Sequence, residues 1–353
     1  MREFTYTSRA SRIVFGVGTL SSLQYELSLH SSSKPLILTT PEQRSMGELI
    51  AKQLSGLDAN VCAMATMHTP TEVTDKALDF LHANRSDSLI SVGGGSTVGL
   101  GKALALRTGL AQIAVPTTYA GSEVTPILGE TSGGIKKTIR TDAVLPETVI
   151  YDVNLTLTLP QKISAASGIN AIAHAAEALY AKDVNPIVSL MAEEGIRSLY
   201  QSLPDIASDL KNIDARSKAL YGAWLCGTCL GAVSMGLHHK LCHVLGGAFD
   251  LPHAETHAVV LPHALSFNAP AVPQVMARIA QAINVTFEPG LAMFKLLKKT
   301  SLPVSLEELG MPKEGIKHAV DLVMRDAYSN PRPLDTTAVH KLITNAFYGK
   351  TPE

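Results

Sequence analysis

Histidines and one asparagine are the residues of this chain whose types and spacing most directly suggest chemistry. Six of the twelve histidines fall within positions 238–263, in HHKLCHVLGGAFDLPHAETHAVVLPH. Far upstream, Asn170 and His174 are four residues apart in SGINAIAHAAEALYA, and His239 and His243 repeat that spacing. Residues four apart lie on one face of a helix, so each pair would present its two side chains together.

Imidazole is the commonest metal-binding side chain and titrates near neutral pH, so a group of histidines can bind a metal or act on a substrate. We predict that His174, His239, His243 and His253 surround one point and form an active site. The alternative for each of them is a helix cap or a satisfied position in the core. The other histidines of the stretch are expected to be structural or to support this group, namely His238, His257 and His263.

Asn170 argues against a metal at this site. A metal site built on this pattern would have a carboxylate there, and an amide carries no charge to hold a dication. We therefore expect a site without a bound metal, in which Asn170 lines the pocket beside the histidines.

A second set of residues is typical of nucleotide binding. The apolar run SLISV at 88–92 leads directly into Gly93, Gly94, Gly95 and Ser96, and a helical pattern follows. Glycines let the backbone approach a ligand closely, and the start of a helix offers unpaired amides to a phosphate. The alternative is a tight turn between a strand and a helix.

A similar loop, PTTYAGSE at 116–123, follows the apolar run QIAV at 112–115. Two such loops at successive strand ends fit the ligand-binding edge of an open α/β sheet. In this loop, we predict that the cofactor is contacted by Thr117, Thr118 and Ser122. We predict that the substrate is contacted by Tyr119.

The surrounding pattern predicts two domains. Residues 1–157 alternate short β-rich runs with helical stretches, which predicts a dinucleotide-binding α/β domain with a mainly parallel sheet. Residues 158–353 carry long periodic apolar segments with few β-branched runs, which predicts an all-helical catalytic domain. The predicted strands are 35–40, 88–92, 112–115 and 148–152, and the predicted helices are 71–83, 96–108, 161–182, 186–203, 214–235, 255–267, 272–284, 314–325 and 336–347.

Composition narrows the partners and the compartment. A formal net charge of −1 with 17% charged residues shows no bias toward polyanions, so we expect no nucleic-acid partner. No secretory segment or membrane-length apolar run is visible, and four cysteines without an export signal favour a reducing cytoplasm. Cys226 and Cys229 form a C-x-x-C inside an apolar helix, where small buried side chains are the expected interpretation.

Taken together, the motifs resemble the iron-containing alcohol dehydrogenase family. The resemblance covers nearly the whole chain and rests on FGVG at 15–18, GGGS at 93–96, PTT at 116–118, N-x-x-x-H at 170–174, and H-x-x-x-H with P-H at 239–253. In metal-dependent members the ligands are one Asp and three His. The corresponding positions here are Asn170, His174, His239 and His253, and His243 corresponds to a histidine near the nicotinamide.

Two departures from the family pattern concern the cofactor. The family usually has G-G-G-S-x-x-D, and Gly99 stands at that Asp position. Many members place an Asp after the strand PLILTT, where it would repel a 2′-phosphate, and Thr40 stands there with Arg44 nearby. The resemblance therefore implies use of both NADH and NADPH. It also assigns Lys137, on the loop before the strand TVIYD, to the nucleotide.

Within the family, PTTYAGSEVTPILGET, ASGINAIAHAAEALYA and HHKLCHVLGGAFDLPHAETH are similar to the members that reduce maleylacetate to 3-oxoadipate in bacterial degradation of aromatic compounds. This implies a conjugate hydride reduction of a small dicarboxylate. His243 and His253 are then the leading donor and acid, and His174 and His239 complete the pocket. Lys240 is the candidate for a substrate carboxylate.

Three other functions remain open from the sequence. A metal-dependent alcohol or glycerol dehydrogenase of the same family would tolerate Asn170. A lyase resembling dehydroquinate synthase would need more cations than the single Lys240 within 231–270. A non-catalytic nucleotide-binding regulator would keep the histidines in a dead site. The resemblance also implies a homodimer, in which the apolar strand RIVFGVG at 12–18 would pair with its copy.

Overall fold

The protein is described by a computed structural model in which residues 3–7, 11–286, 288–325 and 328–352 are placed. The chain divides into two compact units. The sheet unit is Thr7–Leu159, and the helical unit is Pro160–Glu353 with Met1–Tyr6.

The sheet unit has eight strands and four α-helices among its described residues. The strands are β1 (Arg12–Gly16), β2 (Pro35–Leu38), β3 (Asn60–Cys62), β4 (Ser88–Gly93), β5 (Gln112–Pro116), β6 (Ile127–Ser132), β7 (Ile135–Arg140) and β8 (Thr148–Asp152). The helices are α1 (Leu23–Ser28), α2 (Arg44–Gln53), α3 (Thr71–Ala83) and α4 (Gly95–Thr108). Six strands form one parallel sheet in the order β1-β8-β5-β4-β2-β3, which confirms the predicted α/β fold.

The strand order creates a crevice at one point of the sheet. From β2 the chain moves outward to β3, and it then returns to the other side of β2 to form β4. The order of the strands therefore reverses between β2 and β4, and the carboxyl ends of strands at such a point border a ligand crevice. The loops after β2, β4 and β5 all open at this edge, because neighbouring strands of a parallel sheet end on the same side.

The segment before β8 is a hairpin and not the loop that we expected. Strands β6 and β7 pair antiparallel, with Glu130 opposite Lys137. Its side chains are largely polar or exposed, and Ile135 is 65% exposed. A ribbon of two strands buries too little surface to require an apolar pattern, so the sequence showed no strand signal here.

The helical unit contains nine described α-helices. They are α5 (Gln161–Leu179), α6 (Pro186–Ser208), α7 (Ile213–Ala232), α8 (Leu237–Phe249), α9 (His253–Asn268), α10 (Pro273–Ala282), α11 (Pro289–Lys299), α12 (Gly315–Arg325) and α13 (Thr336–Phe347). Helix α5 is buried continuously from Ser164 to Leu179, which its many alanines permit because small side chains let neighbouring helices approach. The prediction of a helical second half is confirmed, although α11 was not predicted and α8 was predicted only through the spacing of His239 and His243.

Helix α7 contains the C-x-x-C motif. Cys226 and Cys229 are buried free thiols, and burial raises the pKa of Cys229 to about 12. Thiols in this state are poor nucleophiles and poor metal ligands, so this motif belongs to the packing of the helix.

Among the helices that the structure describes, no single one is long and apolar enough to cross a membrane. One sharply bent pair, Ile213–Ala232 with Leu237–Phe249, meets that test by length and composition alone.

Candidate active site

The structure brings the predicted histidines together in the helical unit. Helix α5 carries His174, α8 carries His239 and His243, and α9 begins at His253. The ring centroids of His174 and His239 are 5.2 Å apart, and those of His239 and His243 are 6.3 Å apart.

His257 lies at the centre of this group, although we expected it to be structural or only to support the group. Its ring centroid is 4.4 Å from that of His253, 5.1 Å from that of His239 and 6.5 Å from that of His243. His253 and His257 are one helical turn apart on α9, the same spacing that identified the other pairs, so this pair could have been found from the sequence. We call the five residues His174, His239, His243, His253 and His257 the histidine cluster.

The histidine cluster has a buried inner part and an exposed outer part. His174, His239 and His257 are buried, and burial together with neighbouring imidazoles lowers the pKa of each well below its usual value. These three are therefore neutral at neutral pH. His243 and His253 are exposed, so they are the members of the cluster that a ligand can contact directly.

Several polar atoms of the inner part have no hydrogen-bond partner among the described residues. They are Asn170 Oδ1, His174 Nδ1, His239 Nε2 and both ring nitrogens of His257. Buried polar groups in folded proteins are almost always hydrogen-bonded, and exceptions of this kind need an explanation such as an unplaced ion or ligand. A neutral imidazole nitrogen and an amide oxygen can each offer a lone pair to an electrophile.

His238 differs from its neighbours because its ring nitrogens are engaged. Its Nε2 lies 2.9 Å from the backbone oxygen of His257, and its Nδ1 lies 3.5 Å from Nδ1 of His239. Burial lowers the pKa of His238 to about 4. His263 is also buried, with a pKa lowered to about 4, and its ring packs 6.4 Å from Phe294. The engaged ring of His238 is expected of a structural histidine, whereas Nε2 of His263 is buried and has no partner among the described residues.

Glu177 is a residue of this site that the sequence analysis missed. It lies on α5, three residues after His174, and is fully buried. Its Oε2 is 2.6 Å from Nδ1 of His239. Burial raises the pKa of Glu177, and the N–H groups around it oppose that rise. The available signal was a single acidic residue in the long apolar segment that also contains His174.

Lys240, the candidate for a substrate carboxylate, is half-buried on α8 beside His239. Its Nζ lies 5.4 Å from the ring centroid of Tyr328, an arrangement in which the aromatic face stabilises the cation. The predicted substrate contact Tyr119 lies in the sheet unit and is fully buried, so a substrate cannot touch its ring in this conformation.

In the sheet unit, the two predicted cofactor loops lie side by side. Gly93 ends β4 opposite Pro116 of β5, and the backbone N–H of Thr117 donates to the carbonyl of Gly93 at 3.0 Å. A Cβ on Gly93 would lie 2.5 Å from Oγ1 of Thr97, and one on Gly94 would lie 2.9 Å from Cγ2 of Thr118. A side chain at either position would press against a neighbouring threonine, so glycine is favoured at both. Without side chains there, a ligand can approach the backbone closely where helix α4 begins.

Hydroxyl groups gather at this edge. Within the part of the chain that the structure describes, Thr39, Thr97 and Ser122 have buried side-chain oxygens without a partner. They follow β2, β4 and β5 respectively, near the exposed Gly95 and the half-buried Ser96 at the start of α4. Unpaired amides at a helix start together with free hydroxyls are suited to phosphate oxygens.

Gln43 connects the loops across the point where the strand order reverses. It follows β2, and its Nε2 donates to Oγ1 of Thr117 at 3.3 Å. Thr40 is half-buried just before it, and Arg44 starts α2 with its guanidinium 3.7 Å from Glu48. A hydrogen bond from its own backbone N–H, followed by one from the Thr40 side chain, lowers the pKa of Glu42. Glu42 is exposed, so its carboxylate lies in solvent beside the predicted ribose position.

Two further predicted features have clear positions. Lys137 is exposed on β7, across from Glu130. A Cβ on Gly99 would lie 2.4 Å from Oγ1 of Thr69, so Thr69 occupies the place that a side chain at 99 would need.

Comparison with known proteins gives two matching family models. The description "Iron-containing alcohol dehydrogenase" applies to residues 10–153, and "Fe-containing alcohol dehydrogenase family, C-terminal" applies to residues 164–347. The chain is 51% identical to a maleylacetate reductase from Burkholderia cepacia over 354 aligned positions, covering 100% of both chains.

Solved structures are equally similar. The crystal structure of maleylacetate reductase from Agrobacterium tumefaciens matches with a TM-score of 0.96 at 49% identity, covering 100% of both chains. That of an iron-containing alcohol dehydrogenase from Corynebacterium glutamicum matches with a TM-score of 0.95 at 38% identity, covering 100% of this chain and 99% of that one.

These matches overturn the expectation that no metal is involved, since both family models are those of iron-containing proteins. The expectation rested on the missing charge of Asn170. The structure instead places a buried carboxylate, Glu177, directly behind His239, and a carboxylate in that place strengthens an imidazole as a metal ligand.

The donor atoms of the site fit a divalent transition metal. His238, His239 and His257 each offer a ring nitrogen, all within 4.8 Å of one another. Because the nitrogens of His238 are already engaged, the unpartnered atoms available as ligands are those of Asn170, His174, His239 and His257. Imidazole nitrogens and oxygen donors suit iron and zinc.

Proposed function

Since the chain belongs to the iron-containing alcohol dehydrogenase family, we propose that it is an NAD(P)H-dependent reductase that converts maleylacetate to 3-oxoadipate. The observation that carries this proposal is the similarity to the maleylacetate reductase of Burkholderia cepacia, which runs through the full length of both chains.

The reaction is the reduction of a carbon–carbon double bond conjugated to a ketone. Hydride from C4 of the nicotinamide adds to the alkene carbon β to the ketone, and the cofactor leaves oxidised. The electron pair of the double bond moves toward the ketone oxygen as an enolate, and a proton is then delivered to the α carbon. The cofactor supplies the hydride, so the protein must orient the substrate and stabilise the enolate.

The outer residues of the histidine cluster perform that stabilisation. His243 and His253 are exposed, whereas the inner histidines are buried and neutral. An imidazole N–H can donate to the developing oxyanion, and an exposed histidine can exchange its proton with water and deliver it to carbon. We assign His243 and His253 to these two tasks, without distinguishing which residue performs which.

Asn170, His174 and His239 would hold the metal that the family implies. When bound, a divalent ion polarises the substrate oxygen as a Lewis acid. The buried side chains exclude water from this point, and their neutral state leaves their lone pairs available.

The substrate is a small dicarboxylate, so cations are needed at its ends. Lys240 is the candidate at one end because it follows His239 on α8 and is held against Tyr328. For the cofactor, the loop of Gly93, Gly94, Gly95 and Ser96 would bind the phosphates through its backbone. The hydroxyls that would assist it are those of Thr117, Thr118 and Ser122.

The direct test is oxidation of NADH by purified protein in the presence of freshly generated maleylacetate, with 3-oxoadipate identified by mass spectrometry. We expect one product molecule for each NADH consumed. The matched control substrate is 3-oxoadipate, which has no conjugated double bond and should not be reduced. Turnover of glycerol or a simple alcohol with NAD⁺, and none with maleylacetate, would establish the alcohol dehydrogenase alternative instead.

A homodimer formed along the edge of the sheet accompanies this proposal. Strand β1 is an edge strand, so one side of its backbone is available for pairing with a second copy. Light scattering at micromolar concentration should give twice the mass of the chain, and a monomer mass would contradict the proposal.

A further inference from the structure

The carboxylate of Glu177 is surrounded by the beginning of one helix. Its Oε1 accepts from the backbone N–H of His238 at 2.8 Å, and its Oε2 accepts from the N–H of Gly236 at 2.9 Å and of His239 at 3.4 Å. These are amides at the start of α8, where the first N–H groups have no partner within the helix. A negative charge there is also favoured by the helix dipole.

Gly236 makes this approach possible. It is the residue that precedes α8, and because it has no side chain it offers no cap of its own. A Cβ on Gly236 would lie 2.9 Å from Oε1 of Glu177, closer than real side chains come. The start of α8 is therefore built around a carboxylate that α5 supplies.

The fourth contact of Glu177 is with the ring of His239. The distance from Oε2 to Nδ1 is 2.6 Å, so Nδ1 carries the proton and donates it to the carboxylate. A neutral imidazole protonated at Nδ1 has its lone pair on Nε2. Nε2 of His239 is buried and has no partner among the residues that the structure describes.

We propose that Glu177 is a positioning residue that fixes the Nδ1–H tautomer and the ring orientation of His239, so that the Nε2 lone pair is presented to the centre of the histidine cluster. This inference rests on the proposed function only in assigning that centre to catalysis. The same carboxylate anchors α8 to α5, so one side chain sets both the backbone position of α8 and the tautomer of His239.

The variant Glu177→Gln tests the proposal because it keeps the shape of the side chain and one acceptor oxygen for the amides of α8. An amide is a weaker acceptor and can present its NH₂ group to Nδ1, which favours the opposite tautomer of His239. We expect kcat to fall about 10- to 100-fold, the usual effect of losing such a partner, while KM for NADH stays within about twofold.

The decisive measurement is the tautomer of His239 in protein labelled with ¹⁵N-histidine, read from the couplings between ring nitrogens and ring protons. The His239 signals are assigned by their loss in His239→Asn. The wild-type protein should show the Nδ1–H form, and Glu177→Gln should show the Nε2–H form or a mixture. A merely structural role would lower thermal stability and leave the tautomer unchanged.

Asp183→Asn is the matched control. Asp183 accepts from the backbone N–H and the hydroxyl of Ser234, on the connection that leads into α8, and its described contacts include no histidine. It should lose stability without a change in the His239 signals or in kcat. If Glu177→Gln does not fold, Glu177→Asp, which keeps the charge but shortens its reach, should show the same signal change in part.

The outcomes separate the two proposals. An unchanged Nδ1–H signal in folded Glu177→Gln, or in folded Glu177→Asp, overturns the positioning role. The expected signal change in a protein that does not reduce maleylacetate upholds the positioning role and rejects the proposed function.

Discussion

Two buried polar features, one from each unit of this protein, differ in how their hydrogen bonds are satisfied. In the sheet unit, Lys102 is fully buried on α4, and its ammonium donates to four oxygens: the carbonyls of Ser122, Thr125 and Ile127 at 2.6, 2.6 and 3.0 Å, and the Thr125 hydroxyl at 3.0 Å. In the helical unit, the inner histidines leave ring nitrogens without partners among the described residues. A satisfied buried group stabilises a fold, whereas an unsatisfied group marks a place where a ligand belongs.

Whether a buried polar group has hydrogen-bond partners therefore distinguishes structural positions from the site, without any assumption about function. Lys102 holds the loop that follows β5, and burial lowers its pKa to about 7 while the nearby carboxylate of Glu123 opposes that change. Glu123 is itself held by the hydroxyl of Tyr151 at 2.7 Å.

The largest effect should come from the exposed part of the histidine cluster. Replacing His243 or His253 by Ala should lower kcat for maleylacetate about 10²- to 10³-fold, the usual loss for one oxyanion donor. Thermal stability should change little because both side chains are exposed. Steady-state kinetics and thermal unfolding measured on the same preparations test this.

His340→Ala is the control for that experiment, since His340 is an exposed histidine on α13 outside the cluster. It should retain wild-type kcat. Near-normal kcat in both cluster variants, with lowered stability, would make His243 and His253 part of the scaffold.

Lys102→Met should show the opposite pattern, in which the main loss is in stability and not in kcat. It removes the donor from four oxygen contacts and leaves buried carbonyls without a partner, which should lower the free energy of unfolding by about 3 kcal/mol. KM for NADH should rise because the loop that carries Ser122 loses its anchor. Chemical denaturation and cofactor titration measure the two effects.

The matched control is Lys76→Met, because Lys76 is exposed on α3. A surface substitution of this kind should change stability by less than about 0.5 kcal/mol. Equal stability losses in the two variants would mean that the contacts of Lys102 contribute nothing beyond those of a surface lysine.

The histidine cluster and the buried Lys102 were not equally predictable from the sequence. Histidine is rare and its helical spacing is regular, so His174 and His239 could be identified before the fold was known. Lys102 looked like any lysine on an amphipathic helix, because its burial depends on how the loop after β5 folds back over α4. Glu177 was hidden for the same reason, since its partners come from the start of α8.

The parallel sheet was predictable because its strands are buried on both faces and form apolar runs such as 88–92 and 148–152. The hairpin of β6 and β7 carried no such signal. The metal expectation failed because it considered the charge of Asn170 alone and not the carboxylate behind His239, which only the packing of α5 against α8 brings into place.

Asn170→Asp should sharpen the contrast in the helical unit. It adds a negative charge among neutral donors, so the affinity for a divalent ion should rise about 10-fold or more. Titration with Fe²⁺ under anaerobic conditions, or with Zn²⁺, measures this directly by calorimetry. An unchanged affinity would show that Asn170 is not a ligand, and the unpartnered oxygen would then need another explanation.

The smallest effect is expected at the edge of the sheet unit. Thr40 follows β2 at the point where the strand order reverses, and the carboxylate of Glu42 lies beside it in solvent. Thr40→Asp adds a second negative charge near the predicted adenosine ribose and should repel a 2′-phosphate. Thr40 is only half-buried, so salt in the surrounding solvent partly screens this repulsion, and KM for NADPH should rise about 5- to 10-fold while KM for NADH changes less than twofold. Glu42→Gln is the opposing variant and should lower KM for NADPH if the existing carboxylate already disfavours the binding of NADPH.

The KM values for NADH and NADPH are read from initial rates at fixed maleylacetate, at low and at high salt. A repulsion between charges weakens with ionic strength, whereas a steric effect does not. Equal changes in KM for NADH and NADPH would mean that the adenosine ribose binds elsewhere. Arg44, which is paired with Glu48, would then have no role in discriminating between the two cofactors.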